Sequence, residues 1–270
     1  MRRISFIAFF ALAALVLTGM RSPAPRIDLD GRRLDESGLA FEAEGEVYIP
    51  LREFCEALGA SVEWDGEAKR AEVRLPGLEL YAKVGERYIE ANGRCLFCPE
   101  RVIIREGRLM APASALAKAF GAGLEFNAAS LTLSLTSGGL VLESAETYYD
   151  SDDLYWLSRI IEAESGTETL MGKVAVGNVV LNRVKSPEFP DTVKKVIFDR
   201  RCGIQFSPAY SGSIYNSPRA ESVIAAKLCL DGASVAGESL YFTPIRRAKT
   251  CWAARNRPVF GQIDRQMFFL

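Results

Sequence analysis

The chain has 270 residues, 49% of them hydrophobic and 25% charged, a globular composition whose length suits one or two domains. Its net charge of −1 supplies no basic field for a nucleic acid partner. It contains no histidine, which excludes Ser-His-Asp and Cys-His catalysis and the His-ligated zinc hydrolases. Any hydrolytic chemistry must therefore rest on carboxylates, amides and hydroxyls.

Residues 1–20, MRRISFIAFFALAALVLTGM, place two arginines before an apolar run from Ile4 to Leu17. A charged start followed by a short apolar run describes a signal peptide or an N-terminal anchor. The expectation is a secreted or cell-envelope protein that meets a membrane only through this segment. RSPAPR, residues 21–26, reads as a linker.

An internal repeat follows. EGEVYIPLREFCEALGASVEWD (44–65) recurs as EGRLMAPASALAKAFGAGLEFN (106–127), with Pro50 and Pro112 at the same point. Each copy predicts a strand, a proline at a helix start, one amphipathic helix, a glycine stop and a second strand. Leu51, Phe54, Cys55 and Leu58 form the apolar stripe of the first helix, with Gly59 beyond it; Leu116, Ala119 and Phe120 do so in the second, before Gly121. Residues 138–152, small and acidic, suit a linker to a second domain at 153–270.

In that domain the stretch RIIEAESGTETLMGKVAVGNVVLNRV holds Glu162, Glu164 and Glu168 within seven positions. On a helix over 154–165, Leu154, Leu157, Ile160, Ile161 and Glu164 share one face. Glu162 lies about 200° round the wheel from Glu164 and reads as a solvated residue near Arg159. Gly166 is the expected stop at C′, and Glu168 stands at the start of the next element, where a helix N-terminus favours a carboxylate. A carboxylate on an apolar face has a raised pKa and can serve as a general acid. The competing reading is a Glu164 paired with an arginine such as Arg183.

The next helix, about Leu170 to Val184, is apolar nearly all round and reads as the domain core. Its amides Asn178 and Asn182 either tie that core together or hold a site. Asp191 is expected to cap a short helix ending at Phe198. Ser217 and Pro218 are expected at N-cap and N1 of a helix running to Leu230. ESLYFTP and RPVF…RQMFFL alternate as strands.

Six cysteines stand at 55, 95, 98, 202, 229 and 251. The Cys95–Cys98 pair lacks the second pair a zinc site wants and the helix N-terminus a redox site wants, so it reads as buried thiols or a structural bridge. Export permits disulfides, with Cys202–Cys251 or Cys229–Cys251 as the expected pairs. No metal and no cofactor is expected.

The residues also carry two resemblances. The pattern yiPLRefcEaLGAsVeWD, over residues 27–137, resembles the copper amine oxidase N-terminal-like module, with Phe126 replacing the tryptophan in the second copy. That resemblance implies an accessory domain, either wall-binding or a plain spacer, and neither copper nor amine chemistry. Residues 154–269 resemble the SleB-type cell wall hydrolases of the spore cortex-lytic family. AVGNVVLNRVKSPEFPDTV, IQFSP, SPRAESVIAAKLCLDG, SLYFTP, Trp252 and the final aromatic strand carry it. The implied fold class is α+β: a small repeated strand-helix-strand module, then a mostly helical domain like lysozyme and the lytic transglycosylases.

The same resemblance implies cleavage of peptidoglycan glycan strands, with Glu164 of Ala163-Glu164-Ser165 as the acid/base. It implies Gln205, Phe206 and Ser207 in a groove wall, Tyr241, Phe242 and Trp252 against sugar rings, and Glu168 and Gln266 among substrate-binding residues. A lysozyme-type hydrolase wants a second carboxylate about 5–9 Å away, for which Glu168 is the nearest in sequence. Two departures stand out. Gln266 occupies the place of the family's histidine and Thr243 that of a common asparagine, and glutamine cannot carry a proton. Two rival expectations follow: a catalytically impaired wall-binding protein, and an amidase cutting between sugar and peptide.

Overall fold

A computed structural model describes residues 24–34, 38–201 and 203–270. The expected export segment, residues 1–20, lies outside them. Among the described residues no helix is long and apolar enough to cross a membrane.

The first half contains β1 (Arg26–Leu29), β2 (Arg32–Arg33), β3 (Phe41–Ala43), β4 (Glu46–Pro50), α1 (Leu51–Ala57), β5 (Ser61–Asp65), β6 (Arg70–Leu75) and β7 (Leu78–Lys83). It continues with β8 (Tyr88–Ala91), β9 (Arg94–Phe97), β10 (Ile103–Arg105), β11 (Arg108–Pro112), α2 (Ala113–Phe120), β12 (Gly123–Asn127) and β13 (Thr132–Thr136). The repeat is therefore β4–α1–β5 and β11–α2–β12. Its copies meet directly, because β4 and β11 pair antiparallel with Met110 opposite Pro50 and Pro112 opposite Tyr48. Each proline is the residue that turns its strand into the following helix, at φ −61° in both copies. A fixed φ near −65° suits that corner. Phe54 and Phe120 then meet edge to face at 5.4 Å in the shared core. Gly121 closes α2 in the left-handed region at φ 64°, and a Cβ there would collide with the Leu140 carbonyl of the linker.

The second half follows α3 (Ala145–Tyr148) with α4 (Ser151–Ser165), α5 (Leu170–Lys185), α6 (Val193–Ile197), α7 (Pro208–Ser211) and α8 (Ala220–Leu230). It ends with β14 (Tyr241–Pro244), α9 (Trp252–Asn256), β15 (Val259–Ile263) and β16 (Gln266–Phe269). The three strands form one antiparallel sheet in the order β14-β16-β15. Helices α4, α5 and α8 pack together around Leu157, Ile160, Ile161, Val174, Val180, Ala225 and Leu228. The whole is α+β, with strands dominating the first half and helices the second.

Several local expectations need correction. Asp150 caps α4, accepting from the Asp152 and Asp153 amides, and the helix starts three residues early. Gly166 stays right-handed at φ −53° and so gives no left-handed stop. Thr192, not Asp191, caps α6; Asp191 pairs with Lys195 one turn on. Arg219, not Ser217, stands at the N-cap of α8, with an extended backbone at φ −70° and ψ 157° before the helix begins. Cys229 and Cys251 are both free, so that pair does not form; Cys202 lies outside the described residues. Cys95 packs into the core of the helical half and Cys98 into that of the strand-rich half. Thiols sent into two different cores are not a redox pair.

The halves join through charge as well as through apolar contact. Tyr88, Cys95 and Phe97 of β8 and β9 lie against the helical core. Asp231, the residue ending α8, has its side chain 2% exposed. It accepts from Arg94 Nε at 3.1 Å and from the Tyr149 hydroxyl, and Lys118 Nζ approaches at 3.0 Å. Lys227 Nζ answers in the other direction, donating to the Gly93 carbonyl at 2.7 Å. Arg94 is itself 3% exposed and lies over the Tyr148 ring. A buried pair satisfied on both sides holds its groups in one geometry.

Candidate active site

Glu162, Glu164 and Glu168 meet three different environments. Glu162 is not solvated near Arg159, as the helical wheel suggested. Its carboxylate accepts from Arg219 Nε at 2.8 Å and from the Ser222 hydroxyl at 2.6 Å. Burial alone would raise its pKa, but these bonds hold it below the usual carboxylate range. Arg159 instead lies over its own neighbour Tyr155.

Glu168 is 8% exposed in its side chain and bound to Arg265, with Oε1 2.9 Å from Nη2 and 3.0 Å from Nε. Beside it, the Thr169 amide and hydroxyl donate to Asp264 at 2.8 and 2.7 Å. These bonds latch the β15–β16 turn onto the N-terminus of α5. Glu168 thus holds the strand that carries Gln266, and Gln266 itself is 7% exposed with a buried Oε1 that has no partner among the described residues.

Glu164 differs from both. It sits in the last turn of α4, in line with the buried Leu157, Ile160 and Ile161. Among the described residues its carboxylate has no hydrogen bond and no ion pair, and Arg183 is not its partner. Burial alone pushes its pKa up to about 7. A carboxyl group balanced between its two forms near neutral pH can give a proton and take one back.

The other expected residues divide. Gln205, Tyr241 and Trp252 line one cavity of about 670 Å³, together with Phe189, Phe242 and Thr243. Glu164 is not among the residues lining it. Tyr241 and Trp252 lie 5.5 Å apart between ring centres, and Trp252 is 57% exposed, so this aromatic surface is open to a ligand. Phe206 is buried, with its ring 6.3 Å from Phe242, and supports the wall from beneath. Ser207 is exposed at the entrance of α7 and is not a cavity residue. Asn178 and Asn182 prove to be ties. Asn178 bonds the Ala233 carbonyl and the Val235 amide, and Asn182 the Gly237 and Ser239 carbonyls.

Sequence reasoning missed the cavity's charged members: Arg183, Glu188, Asp199, Arg201 and Arg257. Glu188 pairs with Arg257 at 3.0 Å and Asp199 with Arg201 at 3.0 Å. The one arginine of α5, in the last turn of a mostly apolar helix, was the available signal for Arg183.

Residues 28–135 match the copper amine oxidase N-terminal domain family, and residues 167–269 match the cell wall hydrolase family, beginning just after Glu164. The spore cortex-lytic enzyme of Bacillus cereus is 32% identical over 120 residues, covering 44% of this chain and 45% of that protein. That of Oceanobacillus iheyensis is 30% identical over 132 residues, covering 49% and 46%. This chain therefore spans under half the length of these relatives. The solved catalytic domain of the germination-specific lytic transglycosylase SleB from Bacillus anthracis is 31% identical, with 46% of this chain and 98% of that domain covered at a TM-score of 0.41. The chain thus carries a cell wall hydrolase domain over residues 167–269 and a copper amine oxidase N-terminal domain over residues 28–135.

Proposed function

We propose that this protein cuts peptidoglycan glycan strands outside the cytoplasmic membrane, with Glu164 as both proton donor and proton acceptor. The observation that carries this reading is the contrast among the three glutamates. Glu162 and Glu168 are neutralised by Arg219 and Arg265, while Glu164 is half-buried with no partner among the described residues, and that burial pushes its pKa up to about 7. The relatives' printed names, spore cortex-lytic enzyme and lytic transglycosylase, support the same bond class.

In the proposed step, protonated Glu164 gives its proton to the glycosidic oxygen as the bond to C1 breaks. The resulting carboxylate then takes the proton of the sugar's own 6-hydroxyl as that oxygen bonds to C1. No water is consumed, and the product carries an anhydro ring. Glu168, held by Arg265, is a poor second carboxylate, which favours this route over hydrolysis.

A wall protein that binds without turnover is the second reading. Gln266 favours it, because a buried amide cannot exchange a proton. Digestion of purified peptidoglycan and spore cortex by wild type and Glu164→Gln, read by mass spectrometry, tests both. Anhydromuramyl products from wild type alone support the proposal. Products one water heavier replace transglycosylation with hydrolysis. Binding without any product establishes the second reading.

A further inference from the structure

Helix α5 is apolar along most of its buried length, and the polar residues that interrupt it are instructive. Lys173 donates to the Glu168 carbonyl at 2.6 Å and to Glu221 at 2.5 Å. Asn178 and Asn182 hold the loop after α8. Arg183 is the exception. It is 4% exposed, its Nε donates to the Leu240 carbonyl at 2.7 Å, and its Nη1 is buried with no partner among the described residues.

Among the described residues no carboxylate forms a salt bridge with Arg183. Asp199 acts on it only from beyond that distance and is itself bound by Arg201. Burial pulls the guanidinium pKa down to about 10. The rings of Phe189, Phe206 and Tyr241, at 4.8, 5.1 and 5.3 Å, recover part of the lost hydration through cation–π contact. They leave the N–H donors of Nη1 unused, and a buried unused donor is costly.

Arg183 also lines the cavity. The remaining charges there match in pairs, Arg257 with Glu188 and Arg201 with Asp199. Arg183 is the charge left over, fixed against the rings of Phe189, Phe206 and Tyr241.

We propose that Arg183 is a carboxylate receptor, which docks an acidic group carried by the bound glycan while sugar rings lie against Tyr241 and Trp252. This rests on the cavity being the glycan groove of the proposed function, and it names a ligand group that reading leaves open. Two sources offer the same chemistry: the free carboxylate of an attached peptide, and the acid group of the sugar itself. A neutral glycan would cover the guanidinium without pairing it, and such a site rejects ligands that leave its polar groups unmatched.

The test uses the full chain bearing Glu164→Gln, so that bound ligand survives. Calorimetric titration would compare muramyl dipeptide and N-acetylmuramic acid, each with its own fully amidated twin, and chitotetraose. A preference of about tenfold or more for the acid over its amide is expected, as for a hydrogen bond to a charged group. The tighter of muramyl dipeptide and N-acetylmuramic acid identifies the source. Arg183→Lys should weaken the preference with little change in melting temperature, and Arg183→Met should remove it. Equal affinity for acid and amide with Arg183 intact would overturn the proposal, whether or not the Arg183 variants fold. If none of these glycans binds, the groove reading fails and the proposal falls with it.

Discussion

Replacing Glu164 with glutamine should stabilise the protein at high pH and leave its stability unchanged at low pH. The folded-state pKa is raised from the ordinary 4.5 to about 7. Between those values the folded chain holds a proton that the unfolded chain has released. The resulting stability is fully present below 4.5 and is lost as pH rises through 7. A shift of that size corresponds to about 3 kcal/mol. Glu164 keeps partial contact with solvent, which screens the charge, so about 2 kcal/mol is the better expectation. Glutamine matches protonated glutamic acid in shape and never ionises. Urea unfolding of wild type and Glu164→Gln should therefore coincide near pH 4 and separate by about 2 kcal/mol near pH 9, with the variant more stable. A gap that stays within about 0.5 kcal/mol at both pH values would mean that Glu164 is solvated, and the argument for it as a proton donor would lose its physical basis.

Asp231→Asn should cost about 3–5 kcal/mol in denaturant unfolding, because it leaves Arg94 buried and unpaired; a loss under 1 kcal/mol would show that water reaches the pair. Trp252→Ala should raise the KM for glycan about tenfold with stability changed by less than about 0.5 kcal/mol, since the ring is exposed; an unchanged KM would remove Trp252 from the binding surface. Gln266→Met should lie within about 1 kcal/mol of wild type in thermal melting, because the lost Oε1 has no partner to strand. In native protein Cys251 should react with a thiol reagent well before Cys55, Cys95, Cys98 and Cys229, whose burial raises their pKa values; mass mapping of the labelled peptides reads the order.

Much of the architecture was legible because it rests on local rules. The repeat's prolines and apolar stripes place α1 and α2, and a helical period places Glu164 in line with Leu157, Ile160 and Ile161. The caps at Asp150 and Thr192 were not legible, since neighbouring residues offer side chains of equal capping power, and the start of α8 at Arg219 was not, since no side chain caps it. The partners of Glu162 and Glu168 are arginines 57 and 97 positions away, beyond any periodic signal. The cavity's charge balance is hidden for the same reason. Matching Arg257 to Glu188, 69 positions away, requires knowing which loops the β14–β16 sheet brings together, whereas Asp199 and Arg201 are near neighbours in sequence.

The Asp231 junction sets an order of events for the growing chain. Asp231 stands 137 positions after Arg94 and 113 after Lys118. A chain made from its N-terminus completes the first half's five-stranded sheet long before α8 exists. During that interval β9 is a bare edge strand, with Cys95 uncovered and Arg94 lacking a counter-charge. The early half is thus an adhesive intermediate until the late helix arrives to cover it. Chains released short of residue 231 should accumulate in aggregates through that edge, while the finished chain does not.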